Sequence, residues 1–318
     1  MSLRNRADAS DPPIRPVLVA GPTASGKSAL ALALAERCGG VVVNADSQQI
    51  YDAWRVLSAR PTPAEEARAP HRLYGHVGLE TSFSVGAWLR DLAPVLAAAR
   101  AAGQRPVIVG GTGLYFKALT EGIAPIPEVP PEVRAAAEAR LERLGLAGFA
   151  AELAARDPET AATLDRENPM RVLRASEVLD HTGTGLAEWR RRTAPPLLPL
   201  AACTAAALAP PRDWLYARCE ARFEAMLAAG ALEEVRRVQA LGLPAAAPGL
   251  KAVGAPELMA HLSGALTLEE AAGAAKTATR RYAKRQLTWV RNQMAAWRRI
   301  EASLTGARIE ALAAELAG

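Results

Sequence analysis

The sequence has no apolar run approaching the ~20 residues that span a bilayer, so nothing in it points to a helical membrane protein. It has three cysteines, Cys38, Cys203 and Cys219, scattered and without a C-x-x-C pair. That usage argues against structural zinc and fits a reducing, cytoplasmic setting. Its four histidines, His71, His76, His181 and His261, fall at no metal-ligand spacing. No internal repeat or low-complexity tract stands out beyond alanine enrichment. The N-terminus, polar and punctuated by Pro12, Pro13 and Pro16, lacks the pattern of a signal peptide or an anchor, and residues 1–13 are expected to form a disordered tail. The chain is expected to act as a monomer, away from membranes.

What is present centres on Gly21-Pro-Thr-Ala-Ser-Gly-Lys-Ser28. The apolar run 17–20 leads in and an alanine/leucine helix pattern, 29–37, leads out. Strand, glycine-bounded loop and helix with the spacing G-x-x-x-x-G-K-S make a phosphate loop (P-loop). Its backbone N–H groups curl inward, the helix start adds partial positive charge, Lys27 reaches the outer phosphates, and Ser28 offers a hydroxyl to magnesium. Such a loop recognises a diphosphate or a triphosphate without saying whose.

A second buried strand is expected over 41–45, with Asp46 immediately after it. In parallel α/β sheets ligands lie beyond the carboxyl ends of the strands, so this carboxylate can face the phosphate loop and take a proton or orient an acceptor. The plainer alternative is an aspartate that caps the next helix. Residues 55–77 read as loop, 84–102 as helix and 106–109 as a third strand. That strand ends in Gly110-Gly-Thr-Gly113, where glycines allow close backbone approach and Thr112 faces the site. The acidic residue that motor-type ATPases carry at such a strand end is missing. Between two proline clusters, 132 to 192 is helical and charged without a strand-like run, the pattern of an insertion. Within it Arg171 and Arg174 share a helix face, suited to gripping phosphates or to surface ion pairs. Residues 201–209 are expected as a further strand and 213–230 as a helix carrying Arg218 and Arg222.

Net charge is +5, yet from Lys276 to Arg299 there are eight basic residues and no acidic one. Read as one long helix, this segment carries a stripe at Lys276, Arg280 and Lys284, with Tyr282, Trp289 and Trp297 as aromatic surface. Basic and aromatic residues on one helix suit an RNA backbone and stacked bases.

Four motifs in this order, GPTASGKS at 21–28, NADSQQIY at 44–51, GGTGLYFKAL at 110–119 and RYAKRQLTWVRNQ at 281–293, resemble the tRNA dimethylallyltransferases, also called tRNA isopentenyltransferases. The resemblance runs from Pro16 to about Trp297. It implies an α/β fold: a P-loop NTPase-like core with a parallel sheet flanked by helices, formed by 14–122 and 200–318, plus an all-helical insertion at 123–199 that clasps the anticodon stem-loop. The implied reaction moves a dimethylallyl group from dimethylallyl diphosphate to N6 of the unmodified adenosine next to the anticodon of a tRNA, with Mg2+ as cofactor. By resemblance, Gly21, Pro22, Thr23, Ala24, Ser25, Gly26, Lys27 and Ser28 hold the diphosphate with Arg222; Asp46 is the general base; and Thr23 and Arg222 also serve the chemistry. The implied tRNA contacts are Asp46, Ser47, Gln48, Gln49, Thr112, Arg134, Arg171, Arg174, Lys276, Arg280, Arg281, Lys284 and Arg285, and the implied metal contact is Ser28. Met170, the run Gly254-Ala-Pro-Glu257 and the run 56–61 depart from the family pattern. A small-molecule P-loop kinase shares the loop and Asp46 but needs no basic helix; a non-catalytic RNA-binding NTPase shares the helix but leaves Asp46 and Thr112 without a role.

Overall fold

The computed structural model describes residues 14–318; the expected tail at 1–13 lies outside them. The described residues form two compact units, one running up to Thr120 and resuming at Leu197 to Gly318, the other spanning Glu121–Pro196. Among the described residues no helix is long and apolar enough to cross a membrane.

The larger unit is built on β1 (Val17–Ala20), β2 (Val41–Asn44), β3 (His71–Arg72), β4 (Pro106–Gly110), β5 (Thr204–Leu208) and β6 (Arg298–Ile300). They make one sheet in the order β3-β2-β4-β1-β5-β6, with every pairing parallel. The strands β1, β2 and β4 are buried at every position, which is why they read as continuous apolar runs rather than alternating ones.

The helices, in chain order, are α1 (Lys27–Cys38), α2 (Pro63–Arg68), α3 (Val85–Ala101), α4 (Gly113–Glu121), α5 (Pro131–Arg156), α6 (Pro158–Thr163), α7 (Pro169–Thr182), α8 (Leu186–Arg191), α9 (Arg212–Ala228), α10 (Ala231–Gln239), α11 (Ala255–Leu262), α12 (Leu268–Gln293) and α13 (Gly306–Ala317). Side chains alternate across a strand, so each strand feeds two cores. Val17, Val19, Val42, Val107 and Val109 pack against α1 and α13 on one face. Leu18, Val43 and Ile108 pack against α3, α4, α9 and α12 on the other. A third cluster joins Ile50, Trp54 and Leu57 to α9, α10, α11 and α12. The smaller unit consists of α5 to α8 around Phe149, Leu153, Val172 and Val178; α5 breaks at Gly145, whose φ of 65° no helix accommodates.

Two stretches differ from their sequence-based expectation. Residues 55–77, expected as loop, contain α2 and β3. Thr62 and Glu65 close a capping box that starts α2. The basic segment is not one helix to Arg299. α12 starts earlier, at a capping box of Thr267 and Glu270, and ends at Gln293; Arg298 and Arg299 then sit in β6. Trp297 is buried and meets Phe116 edge-on at 5.3 Å, so it is core rather than RNA-facing surface.

Candidate active site

Because the sheet is parallel, the carboxyl ends of β1, β2 and β4 open onto the same edge, and the loops leaving them meet there. The phosphate loop leaves β1. Ala24 and Gly26 both hold positive φ, 62° and 93°, which turns consecutive N–H groups toward one point. A left-handed alanine is costly, about 1–3 kcal/mol. It is held from outside: the Arg218 Nε donates to the Ala24 carbonyl at 2.9 Å while its guanidinium lies over Trp214. Arg218 therefore braces the loop. Gly26 caps α1 without a side-chain hydrogen bond, leaving the first N–H groups of that helix available to an anion. Ser25, 1% exposed, has a hydroxyl with no partner inside this loop.

Asp46 stands at the end of β2, buried. Asn44, fully buried, aims it: its side-chain oxygen accepts the Asp46 N–H at 2.9 Å and its amide donates to the Asp46 carbonyl at 3.0 Å. One carboxylate oxygen, Oδ1, accepts the Gln48 N–H at 3.0 Å, so the residue does close a turn. The other, Oδ2, lies 4.0 Å from Lys27 Nζ. Burial lowers Lys27 to about 8, with Asp46 opposing that shift and Arg222 adding to it. Arg222, on α9 beside them, is also pushed below its ordinary value by burial. Among the described residues it makes no ion pair.

These groups line one cavity. Its lining is both polar, with Thr23, Lys27, Ser28, Asp46 and Arg222, and apolar, with Leu57, Phe223, Met226, Ala252 and Val253. A cavity lined by both cationic and apolar side chains fits a ligand that carries phosphate and a short hydrocarbon. Nearby, Thr112 at the end of β4 accepts the Ser47 N–H at 2.8 Å and donates to the Ser47 hydroxyl at 3.1 Å, tying the β2 and β4 loops together.

The other residues singled out from the sequence fall in different places. Gln49 is buried and lines the cavity, and its amide donates to the carbonyls of Ser58 and Ala59, bracing that loop. Gln48 lines the cavity and accepts the Val253 N–H. Lys276 and Arg280, half-buried, are ion-paired with Glu224 and Glu220 of α9: the acids missing from the basic segment are supplied by a neighbouring helix. Arg281, Lys284 and Arg285 stay exposed, and Arg285 lies over the Tyr282 ring. In the helical unit, Arg171 pairs with Asp165, and Arg134 and Arg174 both reach buried Glu177.

Two residues that matter here were not singled out from the sequence. Asn44 belongs to a quoted motif, but nothing in its spacing tells that it aims Asp46. Gln286 lies within the basic helix, where its one signal is a polar residue inside the apolar stripe formed by Ala283, Leu287 and Val290.

A curled loop of N–H groups, the two cations Lys27 and Arg222 and one aimed carboxylate, all at the open edge of a parallel sheet, define the site of a phosphate-loop enzyme. Comparison with known proteins narrows this. The family model described as IPP transferase matches residues 49–293, and that described as isopentenyl transferase matches 14–77. The chain is 60% identical over 289 residues to a tRNA dimethylallyltransferase of Cereibacter sphaeroides, covering 91% of this chain and 90% of the relative. It is 58% identical over 286 residues to that of Dinoroseobacter shibae, covering 89% and 93%. Among solved structures it resembles the tRNA isopentenylpyrophosphate transferase of Bacillus halodurans, with a TM-score of 0.67, 29% identity and 96% of each chain covered. A eukaryotic dimethylallyltransferase shares the fold at a TM-score of 0.77 and 23% identity, over 91% of this chain and 74% of that one. The chain belongs to the tRNA dimethylallyltransferase family. These relatives favour the transferase reading over the kinase and the non-catalytic NTPase.

Proposed function

We propose that this chain transfers a dimethylallyl group from dimethylallyl diphosphate to N6 of the adenosine 3′-adjacent to the anticodon in tRNA. The observation that carries the reading is a cavity in which the Asp46 carboxylate faces Lys27 at 4.0 Å and which cationic and apolar side chains line together. The diphosphate sits among the loop N–H groups, Lys27 and Arg222; the five-carbon group lies toward Leu57, Phe223 and Met226. The N6 lone pair is delocalised into the adenine ring and attacks weakly. The N6 to C1 bond forms as the C1 to oxygen bond breaks, the diphosphate leaves with the bonding electron pair, and the N6 proton passes to Asp46. Charge grows on the leaving group, where the loop and both cations already point. To reach the cavity the base must leave the loop stack, which suits an enzyme with a wide RNA surface around a small site.

Among the described residues no group of three or more His, Cys, Asp or Glu side chains is arranged to hold a metal. The donors that do stand here, the Ser28 hydroxyl and the oxygens of a bound diphosphate, suit magnesium, which takes few protein ligands and keeps its waters. Ser28 would hold it, and the ion would neutralise part of the diphosphate charge. The protein is placed in the cytoplasm with tRNA on the same reading.

Incubation with dimethylallyl diphosphate and unmodified tRNA, followed by nucleoside mass analysis, tests the proposal. A gain of one dimethylallyl group on that adenosine is expected. ATP turnover without RNA, and no modified nucleoside, would overturn it.

A further inference from the structure

The Gln286 side chain, on α12, is 6% exposed and reaches two loops of the site at once. Its Oε1 accepts the Thr23 N–H of the phosphate loop at 2.8 Å. Its Nε2 donates to the Gly111 carbonyl of the β4–α4 loop at 3.0 Å. The reverse orientation of the amide would set N–H against N–H and oxygen against oxygen, so the two bonds fix the group. It also lies close to the base: a Cβ placed on Gly111 would stand 2.0 Å from Gln286 Nε2 and 3.0 Å from Asp46 Oδ2. Position 111 is a glycine because the amide occupies the space a side chain would take.

Asp46 is tied to its own strand through Asn44 and to β4 through the Ser47–Thr112 bonds, while the phosphate loop belongs to β1. Among the side-chain bonds described, Gln286 joins the phosphate loop to the loop after β4. We infer that Gln286 is a positioning residue, holding the leaving-group loop in register with the general base without touching either substrate. The inference rests on the transfer reading above, and adds that α12, the helix whose other face carries Arg281, Lys284 and Arg285, also sets the geometry of the diphosphate end. Transfer needs C1, its leaving oxygen and N6 in line, and a misplacement of ~1 Å costs on the order of 10²-fold in rate.

The test uses the full-length protein and Gln286→Met, which keeps the volume and removes both hydrogen bonds. The expected result is a kcat about 10–100-fold lower, with KM for dimethylallyl diphosphate and for tRNA changed less than about threefold. Hydrogen exchange at the Thr23 amide should accelerate about tenfold or more, while Leu34, deep in α1, keeps its protection. Gln286→Glu retains the acceptor for Thr23 and loses the donor to Gly111, so it should preserve Thr23 protection and still lose kcat. A folded Gln286→Met with wild-type kcat, or with unchanged exchange at Thr23, overturns the inference. So does a loss of activity that merely tracks the loss of folded protein. Exchange at Thr23 needs no substrate: a wild-type protein that modifies no tRNA would sink the transfer reading and leave the exchange result to decide the role of Gln286.

Discussion

At the scale of single residues, the site is a contest between burial and charge. Asp46 has one oxygen engaged by the Gln48 N–H and the other turned to the cavity. Asp46→Ala is expected to lower transfer about 10²–10⁴-fold, the usual worth of a placed general base, and to leave the fold intact; single-turnover assays with a melting curve check both. Asn44→Ala should lose part of the same activity, because it frees the backbone that aims the carboxylate. Lys27 makes a different forecast. Burial lowers it to about 8, and a bound diphosphate favours the ammonium. Binding therefore takes up a proton above pH 8. Affinity for dimethylallyl diphosphate should be level below about pH 8 and fall up to about tenfold per pH unit above it. Lys27→Gln should bind more weakly at neutral pH and lose that bend; calorimetry across the range shows it.

At the scale of elements, the wall of the cavity hangs on one buried acid. Glu234 of α10, 4% exposed, accepts three consecutive N–H groups, from Arg55 at 2.7 Å, Val56 at 3.0 Å and Leu57 at 2.8 Å. Leu57 lines the cavity. Glu234→Ala leaves three partly buried donors without an acceptor and should cost about 2–4 kcal/mol in stability, read by denaturant unfolding, with a raised KM for dimethylallyl diphosphate. The sequence showed much at this scale, and the reasons for its gaps are physical. β1, β2 and β4 were legible because they are buried on both faces. β5, Thr-Ala-Ala-Ala-Leu, was faint because alanine has little strand preference. β6 was missed because two arginines on a three-residue edge strand read as an extension of the basic helix. The phosphate loop and Asp46 were legible because their residue types and spacing carry the chemistry. Gln286 and Glu234 were not, because their work is bonding to backbone groups far away in sequence, and no local pattern encodes that.

At the scale of the whole molecule, the uneven charge divides into two sets. Lys276 and Arg280 hold α12 to α9 through Glu224 and Glu220, while Arg281, Lys284 and Arg285 remain exposed. If the exposed three contact tRNA phosphates, replacing them with glutamine should weaken every tRNA alike and reduce the slope of log affinity against log salt by about 0.7–0.9 per lost contact. Replacing Lys276 and Arg280 should instead lower the melting temperature and leave the slope nearly unchanged. Equal slopes in wild type and the exposed triple variant would move the RNA grip elsewhere.

The strand order has a consequence for how the chain is made. β1, which bears the phosphate loop, leaves the ribosome early, yet its neighbour β5 follows about 190 residues later, and β6 and α13 later still. Until then β1 has β4 on one side only, and the α1 face lacks the α13 residues that complete its core. The helical unit at 121–196 is synthesised in that interval and needs nothing downstream for its own core. During translation the nascent chain therefore carries a finished helical unit while its sheet is half-built, with an open strand edge. That interval is when pairing with a stray strand is most hazardous.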